Sequence, residues 1–410
     1  MDSRAAFRIA ALSVLAVFVV HLALVIPPLI AARGEPAPYW IADWQINYAG
    51  GFVRRGLLGE LARLLAVHAS VDTRTTIVAM QILFFVAFFG ASAALLVPEL
   101  ARHPVFAFAV FSPITFAFKA LDPGSGGAKD IVFLALLAIQ ALLSTRARTD
   151  PSASNRRLLV VAAAWAAIVL THEGFFFYLP FSVALLVLTA RSRLPPLKLG
   201  LTLLPAILAF LLSGRFHGDP SYVTAICASL GASAPERCEQ AGAIAWLMRP
   251  ANVHVLHTYY QIVKPPYILL TTVMAAMLGG VCLALLALDT AVARRVREAW
   301  DAPSGLGLTV ACFAFPVLLF ALSDHGRYLS IWFSSAVLVL AAYLSRTPLD
   351  AAAPAAAGSA RGKAGVLVRA LWAIVLLAYA TTWSAQGSCC PDRLGSGFFG
   401  KIFFLIDAHL

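Results

Sequence analysis

RIAALSVLAVFVVHLALVIPPLIA, residues 8–31, decides what kind of protein this is. After Arg8 it carries no formal charge over more than the roughly 20 apolar residues that a helix needs to cross a bilayer. It also exceeds the apolar core of a signal peptide, about 7–15 residues, so an uncleaved first helix is expected. Runs of similar character recur at roughly 76–97, 104–120, 131–145, 158–171, 174–190, 199–213, 265–288, 305–323, 327–345 and 367–384. Together they predict an all-α polytopic transmembrane bundle of about eleven spans, some short enough to be re-entrant or broken. Residues 1–410 then form a single transmembrane domain, with two excursions, 32–74 and 214–264, larger than the other turns.

Composition agrees. The 410 residues are 60% hydrophobic and 12% charged, with a mean hydropathy of +0.83, whereas a soluble domain places about a quarter of its residues in the charged class. A soluble protein is excluded. The net charge of +11 does not point to nucleic acid, because the arginines sit in short segments between apolar runs, where they set orientation. Arg102, then Arg146, Arg148, Arg156 and Arg157, then Arg191, Arg193 and Lys198, then Arg294, Arg295 and Arg297, then Arg346, Arg361 and Lys363 mark alternate loops. These loops are expected in the cytoplasm with the N-terminus, in a bacterial inner membrane. The segment 348–364 reads as a low-complexity cytoplasmic linker.

Cysteine usage fits that orientation. Cys282 and Cys312 fall inside apolar runs, while Cys227, Cys238, Cys389 and Cys390 fall on the expected outer side, where disulfides persist. The spacing of Cys227 and Cys238 suits a local disulfide.

The outer loops hold the chemistry. The first reads YWIADWQINYAGGFVRRGLLGE, residues 39–60. Asp43 and Asn47 are one helical turn apart, and Arg54-Arg55 follows the Gly50-Gly51 pair. An adjacent arginine pair is unexpected in an outward loop. Leu57, Leu58, Leu61, Leu64 and Leu65 then repeat at helical spacing with Glu60 and Arg63 opposite, which predicts an amphipathic surface helix over 56–68. The second loop, LDPGSGGAKD at 121–130, offers Asp122, Lys129 and Asp130 beside glycines whose backbone N–H groups could cradle an anion. It is not a Walker loop, because Gly-Lys-Ser/Thr is missing. The third, THEG, places His172 and Glu173 between two apolar runs, and the fourth, SDHGRY, interrupts an apolar stretch with Asp324, His325 and Arg327. Ionisable groups at membrane depth are costly and mark function by default. An interfacial pair, His254 and His257, reads as structural more readily than as metal-binding. No zinc spacing, dinucleotide fingerprint or internal repeat is present.

This layout resembles the GT-C superfamily of membrane glycosyltransferases. Those enzymes have many spans, an acidic residue in the first extracytoplasmic loop, a helix along the membrane after it, and a polyprenyl-phosphate-linked sugar as donor. The string D-x-x-x-N-Y-x-G-G-F-V-R-R-G-L also looks like membrane proteins of bacterial polysaccharide clusters. The resemblance implies an inverting transfer to an extracytoplasmic glycan or lipid acceptor, in cell-envelope polysaccharide synthesis. A large soluble C-terminal domain found in part of the superfamily is missing.

Glycosyl transfer needs a carboxylate to take the acceptor proton and cations over the leaving phosphate. Asp43 is the expected base, with Arg54, Arg55, Arg327 and Lys129 on the donor phosphate. Asn47, Asp122, Asp130, His172, Glu173, Asp324 and His325 are expected on sugar hydroxyls, or on a divalent ion (Mg or Mn). Expected partners are the donor, the acceptor and membrane lipid, and no nucleic acid. A polysaccharide polymerase with an arginine-dominated site is the nearest alternative. A transporter of an anionic or lipid-linked substrate would instead place its polar groups near mid-membrane.

Overall fold

The computed structural model describes residues 3–32, 39–122, 126–146, 151–189, 195–216, 218–230, 242–248, 289–301, 325–346, 363–384 and 395–396, with short helical pieces between 273 and 312. Its helices are α1 (Ser3–Ala31), α2 (Tyr39–Trp44), α3 (Leu57–Ala69), α4 (Thr73–Arg102), α5 (Phe106–Val110), α6 (Phe118–Leu121), α7 (Asp130–Arg146), α8 (Pro151–Thr171), α9 (Leu179–Thr189), α10 (Pro196–Arg215), α11 (Pro220–Ser229), α12 (Thr290–Asp301), α13 (His325–Arg346) and α14 (Lys363–Thr381).

Among the described residues, four helices are long and apolar enough to cross a membrane: Arg4–Ala31, Thr73–Arg102, Pro196–Arg215 and Gly326–Arg346. Their outward faces are greasy. Leu12, Leu15 and Val19 on α1, and Leu201, Leu204, Leu208 and Leu211 on α10, are exposed at helical spacing. Such a surface is stable only in a non-aqueous solvent. This is a helical membrane protein.

Several boundaries differ from expectation. The run 104–120 is not one helix: α5 stops at Val110, and turns through Pro113 lead to α6. Pro113 has no N–H to give to a helical ladder. The Thr115 hydroxyl donates to Ala109 O at 2.6 Å and Ser112 O at 3.0 Å, bonding the chain back on itself. The run 174–190 opens as a 3-10 helix, Glu173–Tyr178, before α9. Among the described residues the fold is all-helical as expected, apart from a two-residue antiparallel ladder pairing Trp383 with Ser396 and Ser384 with Gly395. Most of 265–288 and 305–323 lies outside the described residues, as do His254 and His257.

Hydrogen bonds between helix ends sort the bundle into two chemically distinct faces. At one face, Ser345 of α13 donates to Glu99 of α4 at 2.9 Å. Arg157 of α8 binds the Ser144 hydroxyl of α7, Arg346 of α13 donates to Thr189 O of α9 at 2.5 Å, and Lys198 of α10 reaches Asn155 of α8 at 3.3 Å. This is the arginine-rich end. The opposite termini of α7, α8 and α13 begin or end at Asp130, Thr171 and His325, so the acid–base loops meet at the other face.

A helix forms over Leu57–Ala69, where the leucine spacing predicts one. Leu58, Gly59, Ala62 and Ala66 face inward, and Leu61, Leu64 and Leu65 remain exposed, an apolar edge suited to the acyl boundary.

Candidate functional site

The site is built around the 39–60 loop, and glycine makes the loop possible. Gly51 has φ +113°, a region open to glycine without steric cost, and its N–H donates to Tyr48 O at 3.0 Å. A Cβ on Gly59 would lie 1.9 Å from Ile46 O, and one on Gly56 would lie 2.2 Å from the Tyr48 ring. Only glycine lets α3 lie directly against the 44–48 segment. Glu60 completes the clasp by accepting from Tyr48 N–H at 3.1 Å and from Arg63 at 2.6 Å.

Asn47 belongs to this scaffold. Its Oδ1 accepts from Ala49 N–H at 2.9 Å, its Nδ2 donates to Ser229 at 2.9 Å, and 1% of the residue is exposed. Each end of the Asn47 amide is thus bonded to the protein, which fixes the side chain in place within the scaffold.

Residues from all four loops converge. Arg55 holds Glu173 through a fork, Nε to Oε2 at 2.9 Å and Nη2 to Oε1 at 2.7 Å, and Arg54 approaches the same carboxylate at 3.5 Å. Arg55 has φ +66°, a strained backbone for a side chain of this size. Lys129 donates to Arg55 O at 2.9 Å and stands 3.6 Å from Asp43. Arg327 forks onto Asp130 with two contacts of 2.6 Å, and Lys119 donates to the same carboxylate at 2.6 Å. Asp122, also buried, adds negative charge beside Lys119. Two cations share one carboxylate in each of these clusters.

Asp43 is different. It is buried, its nearest cations stand at 3.6 and 3.9 Å, and its Oδ1 has no hydrogen bond. Burial pushes its carboxyl pKa up, but Lys129, then Arg55, His172 and Arg327, outweigh burial and hold it below the ordinary value. It is an ionised carboxylate with an unused acceptor. Burial, opposed by Asp43, pushes the Lys129 ammonium down to about 8. For Arg55 the burial penalty is outweighed by Glu173 and Asp43, so its guanidinium stays charged. Burial, reinforced by Arg55, pushes His172 down to about 3. Its Nδ1 accepts from Gly174 N–H at 3.1 Å, so the neutral ring carries its proton on Nε2.

At Gly127 the glycine loop serves packing. Gly127 O accepts from Trp44 at 2.9 Å and Gln81 at 2.8 Å, and a Cβ there would collide with Trp40 at 2.3 Å. Among the described residues no group of three His, Cys, Asp or Glu side chains is placed to hold a metal ion, and Asp130 and Glu173 are each paired with cations. Asp324 and Cys238 lie outside the described residues, as does the side chain of His325. Cys227 is disulfide-bonded.

Sequence reasoning missed Lys119, hidden inside the apolar run 104–120 with a side chain 1% exposed. A lone lysine in such a run, in a chain with a nearby acidic loop, is the signal that could have found it. Gln81 and Trp44, which fasten Gly127, carry no comparable signal.

A family model described as "Uncharacterised membrane protein Rv1490" matches residues 8–238. That stretch holds every member of the cluster except Arg327. No curated protein and no solved structure matches the chain.

Proposed function

We propose that this chain, which belongs to the Rv1490 family of membrane proteins, is a glycosyltransferase of the inner membrane. It moves a sugar from a polyprenyl-phosphate-linked donor to an extracytoplasmic glycan or lipid acceptor, with Asp43 as general base. One observation carries this reading: Asp43 is a buried, ionised carboxylate with one unbonded oxygen, held in that state by Lys129 at 3.6 Å and Arg55 at 3.9 Å. The acceptor hydroxyl gives its proton to Asp43 as its oxygen bonds to the anomeric carbon. The bond from that carbon to the phosphate oxygen breaks, and the negative charge goes to polyprenyl phosphate. Arg54 and Arg55 face one carboxylate, as do Lys119 and Arg327, so positive charge remains to stabilise the leaving phosphate. The position of the cluster at helix ends beside an amphipathic surface helix suits a lipid-borne donor. The GT-C resemblance belongs to this same reading.

The arginine-centred polymerase is the weaker reading, because it gives no role to the unbonded Asp43 carboxylate. A transporter would want its charges midway along the spans. The direct test is sugar transfer from a polyprenyl-phosphate donor by purified, reconstituted protein; no transfer to any envelope glycan or lipid acceptor would remove the proposal.

The pH profile offers a finer test. A lysine with a lowered pKa loses its charge as pH rises through that value, here about 8. Turnover is therefore expected to fall above about pH 8, and Lys129→Met should abolish that limb while lowering the plateau. His172, neutral from well below physiological pH, should add no limb between pH 5 and 7. A profile flat to pH 10 in the native protein would deny Lys129 a role in the charged state.

Orientation is testable separately. With the arginine-rich end in the cytoplasm, single cysteines placed in 145–157 should resist a membrane-impermeant thiol reagent in intact spheroplasts. Cysteines in 214–264 should react. The reverse pattern would put the Asp43 cluster on the cytoplasmic side.

A further inference from the structure

Helix α12 lies at the arginine-rich end, away from the Asp43 cluster, and is sharply two-faced. Its sequence, TAVARRVREAWD, places Val292, Val296, Ala299 and Trp300 on one stripe and Arg294, Arg297 and Glu298 on the other side. The helix is anchored at its start. Asp289 accepts from Val292 N–H at 3.2 Å and pairs with Nδ1 of His103, the residue after α4, at 2.8 Å. Val292 is buried at 1% exposure. Beyond that anchor Val296 and Trp300 of the apolar stripe are exposed, at 42% and 47%. Arg294 and Arg297 are exposed beside it, and Arg295 is tied to Glu298 at 2.8 Å.

An apolar edge ending in tryptophan, flanked by arginines, at the ends of membrane-crossing helices, is complementary to one surface: an anionic bilayer interface. We propose that α12 is an interfacial helix that seats Val296 and Trp300 at the acyl boundary while Arg294 and Arg297 take the phosphates of acidic phospholipids. Anionic headgroups are favoured over zwitterionic ones because exposed arginines near a charged leaflet are attracted to its net potential, within a Debye length. Tryptophan suits the boundary because its ring is apolar and its N–H polar. The helix needs no substrate for this, so the inference stands apart from the glycosyltransferase reading.

The test uses the full-length protein in nanodiscs of phosphatidylcholine with phosphatidylglycerol, one lipid or the other carrying brominated chains. The Trp300 signal is the fluorescence of the native protein minus that of Trp300→Phe. It should be quenched about threefold more by brominated phosphatidylglycerol than by brominated phosphatidylcholine at equal content, and high salt should erode the difference. Arg294→Gln/Arg297→Gln should abolish the preference. Equal quenching by the two lipids would overturn the anionic assignment. Quenching by iodide and by neither lipid would place Trp300 in water, and protection from all three would place it under protein; either result overturns the proposal.

Discussion

Asp43→Asn should lower sugar-transfer turnover by about a hundredfold to ten-thousandfold, the usual share of a general base, while donor affinity changes little. The substitution keeps the shape and the hydrogen-bonding capacity of the side chain and removes only its ability to accept a proton. The fold should tolerate it. Arg55 retains its fork on Glu173, and Lys129 retains its bond to Arg55 O. Monodisperse yield and thermal stability should therefore stay near those of the native protein. Arg54→Ala should behave differently, weakening donor binding and turnover together, because it withdraws charge from the leaving group in both states. The contrast separates a base from a structural acid. A carboxylate that merely neutralises Lys129 and Arg55 would, on becoming Asn, cost stability and leave activity per folded molecule intact. Full turnover in Asp43→Asn would return the argument to an arginine-centred polymerase.

Much of this site was legible because charge in an apolar chain is conspicuous. His172 and Glu173 stand between two apolar runs, and Asp324, His325 and Arg327 interrupt another; such residues must be paired or functional. Antiparallel helices then bring every second loop to the same face, so Asp43, Arg55, Lys129 and Glu173 were expected together and are together. Their pairing was not legible. Nothing in the order of residues says that Arg55 grips Glu173 across 118 positions while Asp43 is left 3.9 Å away. Asn47 shows the same limit from the other side. The amide that would suit a sugar hydroxyl also suits an Asx turn, and its bonds to Ala49 N–H and to Ser229, 182 positions away, cannot be read from residue order. Lys119 escaped because apolarity without periodicity cannot tell a continuous span from a run broken at Pro113. A broken run turns a side chain inward where a lipid-facing helix could not afford one.

Asp130→Ala should be the most destabilising single change in the cluster. Removing one partner of a buried ion pair costs about 3–5 kcal/mol, because the remaining charge stays buried without compensation. Asp130 serves two cations at once, Lys119 and Arg327, each at 2.6 Å. Its loss leaves two buried positive charges repelling one another. Lys119→Met should cost much less, since Asp130 keeps both contacts from Arg327. Arg327→Ala should fall between, leaving Asp130 with Lys119 alone. The double variant Asp130→Ala/Lys119→Met should then be more stable than Asp130→Ala, because one stranded charge has been removed. A favourable coupling of about 0.5–3 kcal/mol is the range for side chains in direct contact. Thermal unfolding in detergent, followed for the native protein and these four variants, gives the cycle. Strict additivity would mean that Lys119 and Asp130 are not a working pair, and that Asp130 is held by the Arg327 fork alone.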